Sequence, residues 1–348
     1  MRLRTVTAVA LVVVLAATLG TLLRSDDPTV PVAVAGTTST SSTTVMSTTT
    51  TVVLPPPTTT TLPPTTTTVA PPPPTTVPPP PAKDLSVYNG LGTWIDVYDW
   101  SLTFGKDGAL VDATTVDQMA AAGVQTLYVQ TGKWDAPTDV LEPDRLLPII
   151  ERAHARGMRV VGWYLPTFED PQRDMARLMA ASRLPIDALA VDIESLRFKD
   201  VPERNRRLLE ISTNLRRELP GVVLGAIPYP PVVTDVINPS LWPSFPWAEL
   251  APLYDVWLPM SYQSDRKQDS GYRDAYRYLA ENIDRMRAHL GADVPIHAIG
   301  GIADRTSPAD VAALHRAALE RGVLGGSLYD WRTTQPDLWS HLQIFRAG

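Results

Sequence analysis

From Leu85 to the C-terminus, short apolar or β-branched runs alternate with amphipathic stretches of helical period. That alternation is the pattern of βα units feeding a parallel sheet. Eight runs read as strands: Gly92 to Tyr98, Val124 to Gln130, Met158 to Tyr164, Ala188 to Ile193, Val222 to Ile227, Val256 to Met260, Pro295 to Ile299 and Gly325 to Tyr329. Helices are expected around Thr115 to Ala122, Asp144 to Arg156, Gln172 to Ser182, Glu203 to Glu218, Tyr272 to Leu290, Pro308 to Arg321 and Leu338 to Phe345. Gly123, Gly157 and Gly322 follow helices where left-handed caps belong. The fifth strand lacks a helix after it; Pro230, Pro231 and the stretch from Trp242 to Trp247 predict a long irregular loop with one short helical turn before Leu253. Units of similar length, and no Gly-rich nucleotide loop after the first strand, favour an α/β fold of the (β/α)8 TIM-barrel type over an open doubly wound sheet.

The fourth run, PIDALAVDIESL from Pro185, carries the most information. Side chains alternate along a strand, so Ala188, Ala190, Asp192 and Glu194 share one face while Leu189, Val191 and Ile193 share the other. The apolar face suits helices outside a barrel. The other face is small, then acidic, and its carboxylates gather at the carboxyl end, where TIM-barrel active sites lie. Residues just past the remaining strands join them on that surface: Asp96, Tyr98, Asp99 and Trp100; Gln130, Lys133 and Trp134; Tyr164 and Phe168; Tyr229; Tyr262 and Gln263; Gly300 to Asp304; and Tyr329, Asp330 and Trp331.

Composition separates this region from what precedes it. Residues 5–23 are uncharged and apolar behind Arg2 and Arg4. This marks residues 1–27 as a signal peptide or an uncleaved signal anchor, with the basic end cytoplasmic and the rest extracytoplasmic, either secreted or held at the membrane or cell wall. Residues 28–83 are dominated by Thr, Pro, Ser and Val, a composition that cannot bury a core and predicts a disordered stalk. In polyproline II, at about 3.1 Å per residue, it would reach on the order of 170 Å. It reads either as a spacer across a cell wall or as a passive linker. Residues 84–348 then supply the barrel. The chain has no cysteine, which excludes disulfides and thiol chemistry, and a net charge of -6 with no basic stripe argues against nucleic acid. A monomer is expected.

Carboxylates and flat aromatic rings at one barrel mouth suit carbohydrate. Rings stack on sugar faces, and a carboxylic acid protonates the glycosidic oxygen. Glu194 is the candidate general acid, with Asp192 able to raise its proton affinity by like charge; the structural alternative is an acid pair satisfied by Arg or backbone donors. Asp96, Tyr98, Trp100, Trp134, Tyr164, Tyr229, Gln263, Tyr329, Asp330 and Trp331 are candidate substrate contacts. Trp94, Trp163 and Trp257 read as packing residues, and His297 as a hydrogen-bonded core histidine. Asp330 or Asp96 could serve as a second carboxylate opposite Glu194. The spacing of His, Asp and Glu implies no metal site and no cofactor. Gly300-Gly301 and Gly325-Gly326 raise a rival, a phosphate cradle formed by the loops after strands seven and eight.

The pattern Asp187-x-x-Ala190-x-Asp192-x-Glu194 resembles the fourth-strand signature D-x-x-D-x-D-x-E of glycoside hydrolase family 18, the chitinase-like barrels. Met260-Ser-Tyr262-Gln263 is similar to that family's M-x-Y-D, and Trp331 sits where the family carries a substrate-floor tryptophan. The resemblance implies Glu194 as proton donor, Asp192 as the support of a substrate N-acetyl group and Tyr262 as a donor to it. Ala190 and Gln263 depart from the pattern, each standing where it has Asp. The chain as a whole resembles exported glycoside-hydrolase-like barrels of high-GC Gram-positive bacteria. The expected function is hydrolysis of an extracellular polysaccharide or peptidoglycan; the alternative, favoured by the two departures, is a non-catalytic glycan-binding barrel.

Overall fold

A computed structural model describes residues 83–347; the expected signal or anchor segment, and all of the stalk but its last residue, lie outside the described residues. Eight strands are present: β1 Gly90–Ile95, β2 Thr126–Gln130, β3 Arg159–Tyr164, β4 Ala188–Ile193, β5 Leu224–Pro228, β6 Val256–Trp257, β7 His297–Ile302 and β8 Gly325–Tyr329. They form one sheet in the order β6-β5-β4-β3-β2-β1-β8-β7, and every pairing is parallel. Isolated parallel bridges from Trp257 to Ile296 and from Met260 to Ile299 join its two ends, closing an α/β barrel.

Helices α1 Ala113–Ala121, α2 Pro143–Ala155, α3 Pro171–Ala181, α4 Val201–Glu218, α5 Ala275–Leu290, α6 Pro308–Glu320 and α7 Leu338–Leu342 alternate with the strands. Most begin on a side chain that takes up a free backbone N–H of the first turn: Asp112, Asp170, Asp200, Asp274 and Ser307 cap α1, α3, α4, α5 and α6. Gly123, Gly157 and Gly322 leave their helices at φ +85°, +74° and +54°, the left-handed region that favours glycine. After β5 the full helix is absent, as its prolines predict; a π-helical turn, Val233–Ile237, and a single α-turn, Trp247–Leu250, stand in its place.

Register fixes which side chains line the barrel. Trp163 pairs with Ala190, Ala190 with Gly225, and Asp192 with Ile227, so these positions share the inner wall. Ile95, Leu127, Val129 and Val160 face outward, into a core with Val116, Met119, Leu146 and Ile150 of α1 and α2. Inside, Trp94 stacks on Tyr128 with ring centroids 4.1 Å apart. His297 is fully buried; it bonds the Tyr88 carbonyl at 2.9 Å through Nδ1 and Ser327 Oγ at 3.0 Å through Nε2. Burial pushes its pKa down to about 4, so it is a neutral core histidine.

Several strand ends differ from the sequence expectation; β6, expected from Val256 to Met260, holds only Val256–Trp257, since Pro259 has no N–H to give the ladder. β1 stops at Ile95 and not Tyr98, because the Asp96 side chain accepts the Tyr98 N–H while the Asp99 side chain accepts the Asp96 N–H, starting the helical turn Val97–Trp100. β7 runs on to Ile302. Beyond β3, Phe168 adopts φ +64°, a strained conformation for a bulky residue. Buried Asp174 holds it there, accepting the Phe168 N–H at 2.9 Å and the Tyr164 hydroxyl at 2.6 Å. Replacing Asp174 with Ala strands both donors, and chemical denaturation should register a loss on the order of 2–3 kcal/mol.

Candidate active site

Asp192 lies near the end of β4 on the inner wall, as the alternation requires, and Glu194 follows one residue past the strand. Asp192 is 6% exposed and its Oδ1 has no hydrogen-bond partner; Glu194 is partly exposed. Burial, then the neighbouring Glu194 charge, raises Asp192 well above the usual carboxylate range, and burial raises Glu194 to about 7. Neither acid is relieved by a cation. The pair therefore retains a proton near neutrality, as buried carboxyls without counter-charges do.

Phenols surround it. Tyr229, past β5, donates to the Glu194 backbone carbonyl at 2.8 Å. Tyr262, past β6, is held protonated by burial and by the charges of Glu194, Asp192, Asp265 and Asp330. Its ring lies 6.2 Å from that of Tyr329 at the end of β8. Tyr329 in turn donates to Asp96 Oδ2 at 2.7 Å. Asp96, Asp99 and Asp330 bring carboxylate oxygens within 4.8 Å of one another. Those oxygens are engaged by the Tyr98 N–H, the Tyr329 hydroxyl, Arg332 and Thr333. Burial raises the pKa of all three acids, to about 6 for Asp330.

Of the residues picked out from sequence, the fold brings together Asp192, Glu194, Tyr229, Tyr262, Tyr329, Asp96 and Asp330. Gln263 is fully buried beside Gly301, with neither amide atom paired. Trp134 is 38% exposed on the rim, where the Arg197 guanidinium stacks 3.9 Å from its ring centre and itself pairs with Glu169. Other candidates are placed elsewhere. Trp100 is fully buried in the outer core, its Nε1–H on the Gln130 carbonyl, because the Asp96-capped turn carries it outside the barrel. Tyr164 follows inward-facing Trp163 and so points outward to Asp174. Tyr98 packs edge-on against Phe104, and Trp331 against Trp339 at 4.8 Å, both bordering the outer core.

The phosphate-cradle reading is overturned by placement. Gly325 and Gly326 begin β8, at the opposite end of the barrel from Gly300 and Gly301 near the end of β7. A Cβ on Gly325 would meet the Gly90 carbonyl at 2.3 Å, and one on Gly326 the Phe345 ring at 2.2 Å, so both glycines serve close packing. Sequence reasoning missed Tyr88 and Tyr128, which fill the barrel beneath Asp192. Tyr128 carried a signal, its inward parity with Gln130; Tyr88, ahead of the first strand, carried none. A groove of about 590 Å³ lined by Trp242, Phe245, Trp247 and His289 lies where β5 lacks its helix, and none of the mouth carboxylates borders it.

No protein-family model matches the chain, and no curated protein matches it in sequence. Solved structures do match in fold. An endo-1,4-beta-mannanase from Rhizomucor miehei superposes with TM-score 0.55 at 10% identity, covering 74% of this chain and 94% of that one. The spore cortex-lytic enzyme SleL of Bacillus cereus gives 0.53 at 9% identity, covering 74% of each chain. A chitinase from Chromobacterium violaceum gives 0.50 at 11%, covering 75% and 99%. The chain has a TIM-barrel fold resembling those of glycoside hydrolases. At such identities the likeness is one of fold alone.

The uncompensated acid pair has a direct consequence for stability. Glu194 has a higher pKa folded than unfolded, so the folded form is favoured below its unfolded pKa and loses that advantage as pH rises through about 7. Glu194→Gln should therefore raise Tm at pH 8, by about 2–4 °C for each kcal/mol relieved, and leave it unchanged at pH 4. Calorimetry at the two pH values checks this.

Proposed function

We propose that this chain is a glycoside hydrolase acting on a cell-wall or extracellular glycan, with Glu194 as general acid. The observation that carries the reading is the state of Glu194: a partly exposed carboxyl at the carboxyl end of β4, raised by burial to about 7 with no cation beside it. A general acid is most effective when its pKa lies near the working pH. Glu194 gives its proton to the glycosidic oxygen as the bond to the anomeric carbon breaks; water adds its oxygen to that carbon and loses a proton, which restores Glu194. As Glu194 gives up its proton, the Asp192–Glu194 pair gains a negative charge, which can stabilise positive charge developing on the sugar. Tyr262, its ring 6.2 Å from that of Tyr329, offers a hydroxyl to the bound ring. Asp96 and Asp330 supply carboxyls on the opposite wall. The fold neighbours' own names, a mannanase and a chitinase among them, agree with a glycan ligand. The apolar, basic-flanked residues 5–23 and the Pro/Thr-rich residues that follow fit export and a tethered or secreted enzyme.

A second reading, a glycan-binding barrel without turnover, is favoured by one feature: Asp192 Oδ1 is left unpaired above Ala190. Reducing-end release from chitin, peptidoglycan and mannan separates the two. The hydrolase should release ends, with kcat/KM falling as pH rises above about 7, and Glu194→Gln should lower turnover roughly 10²- to 10⁴-fold while glycan affinity is kept. Wild-type chain that binds one of these glycans and releases no ends would establish the binding barrel.

A further inference from the structure

Glu194 stands where the sheet gives out. The ladder between β4 and β5 closes on the pair Ile193 and Pro228, and Tyr229, Pro230 and Pro231 follow on the β5 side. Three of the four residues from Pro228 to Pro231 have no N–H, which ends the ladder there. Glu194, one residue past β4, is therefore outside the strand bonding, and its carbonyl needs another donor. A side chain supplies it: the Tyr229 hydroxyl, at 2.8 Å. Tyr229 lies two residues past Ile227 as Glu194 lies two past Asp192, and Ile227 and Asp192 are register partners, so the phenol and the acid leave neighbouring strands at one level.

Tyr229 is fixed in turn. It is buried, and its ring meets that of Trp242 edge-on with centroids 6.5 Å apart. Trp242 belongs to the irregular segment that replaces the helix after β5. Its Nε1–H bonds Asn205 Oδ1 at 2.6 Å, and the Arg204 guanidinium lies 4.0 Å from its ring centre. Arg204 Nη1 reaches back to the Phe198 carbonyl at 3.2 Å. The loop that carries the chain away from β4 is thus tied at Glu194 and again at Phe198, and one indole backs both ties. A phenol has a single hydrogen to donate, and here a main-chain carbonyl already takes it, which sets Tyr229 apart from a hydroxyl offered to a sugar. We infer that Tyr229 is a positioning residue for Glu194: its hydroxyl holds the main chain where the sheet cannot, and that hold keeps the carboxyl in its half-buried seat on the inner wall. The catalytic consequence rests on the hydrolase reading above; the hold on the carboxyl does not.

Tyr229→Phe, made in the full chain, removes one oxygen and keeps the ring against Trp242. Followed by carboxyl-carbon NMR and assigned with Glu194→Gln, the Glu194 titration should fall from about 7 by roughly one unit, since a released carboxyl turns into water and loses the burial that favoured its neutral form. The other titratable groups facing it, Asp192 on β4 and Tyr262 past β6, and Arg204 beyond Tyr229, stay in place, so the shift reports the hold. In an active enzyme kcat should drop on the order of 10- to 100-fold with KM kept within about twofold. An unmoved Glu194 titration overturns the inference whatever happens to Tm, and makes Tyr229 a packing residue, or a substrate contact if KM rises. A moved titration with kcat unchanged in an active wild type overturns it too, because the acid would then work wherever its main chain is held. Wild-type chain that releases no reducing ends defeats the hydrolase and leaves the titration to decide the role of Tyr229.

Discussion

The acid pair at the end of β4 is governed by desolvation without counter-charge. The chain has 31 basic residues, yet the causes acting on Asp192 are burial and the Glu194 charge, and on Glu194 burial alone, with no guanidinium or ammonium among them. Cations are spent on the periphery instead, in pairs such as Arg152–Asp117, Arg206–Glu203 and Arg321–Asp284. Exposed pairs of that kind contribute little stability, whereas one guanidinium at Glu194 would pull its proton off at neutral pH. Keeping cations away from Glu194 preserves an acid there, while Arg332 serves the acids of the opposite wall, and the phenols keep the pair partly dry.

The barrel scaffold makes this arrangement possible because strand alternation is strict where the wall is closed. On β4 the same face that buries Ala188 and Ala190 must present Asp192 and then Glu194, and the partners across the register are small or apolar: Gly225 and Ile227 on β5. The opposite wall is built differently. There Asp96 is already a helix cap, Asp99 closes the same turn and Asp330 is tied to Thr333. Two acidic groups thus face one mouth, one held loosely and one held by backbone donors.

Much of this was legible in the sequence, and the failures are instructive. Eight strands, the missing helix after β5 and the glycine exits followed from periodicity and turn chemistry, and β4 was readable to the residue. Trp100, Tyr164 and Trp331 were misplaced because proximity to a strand end was weighed above parity. Tyr164 comes one residue after inward Trp163 and must point away, and Trp100 lies a full turn past Asp96, whose capping role is written in Asp96-x-x-Asp99. Gln263 was legible as a position but not as a buried, unpaired amide, since that depends on how closely the β7 end approaches. Tyr88 belongs to no element that periodicity can find.

Trp134 is the tryptophan most open to solvent at the rim, and one of its faces is taken by Arg197, which Glu169 holds in turn. The three residues come from the loops after β2, β4 and β3, so they form a cross-tie between neighbouring loops. A planar ligand that stacks on that face must first displace a guanidinium and part an ion pair. Even an electrically neutral ligand settling there would then feel the salt concentration, because ions in solution weaken the tie it has to break.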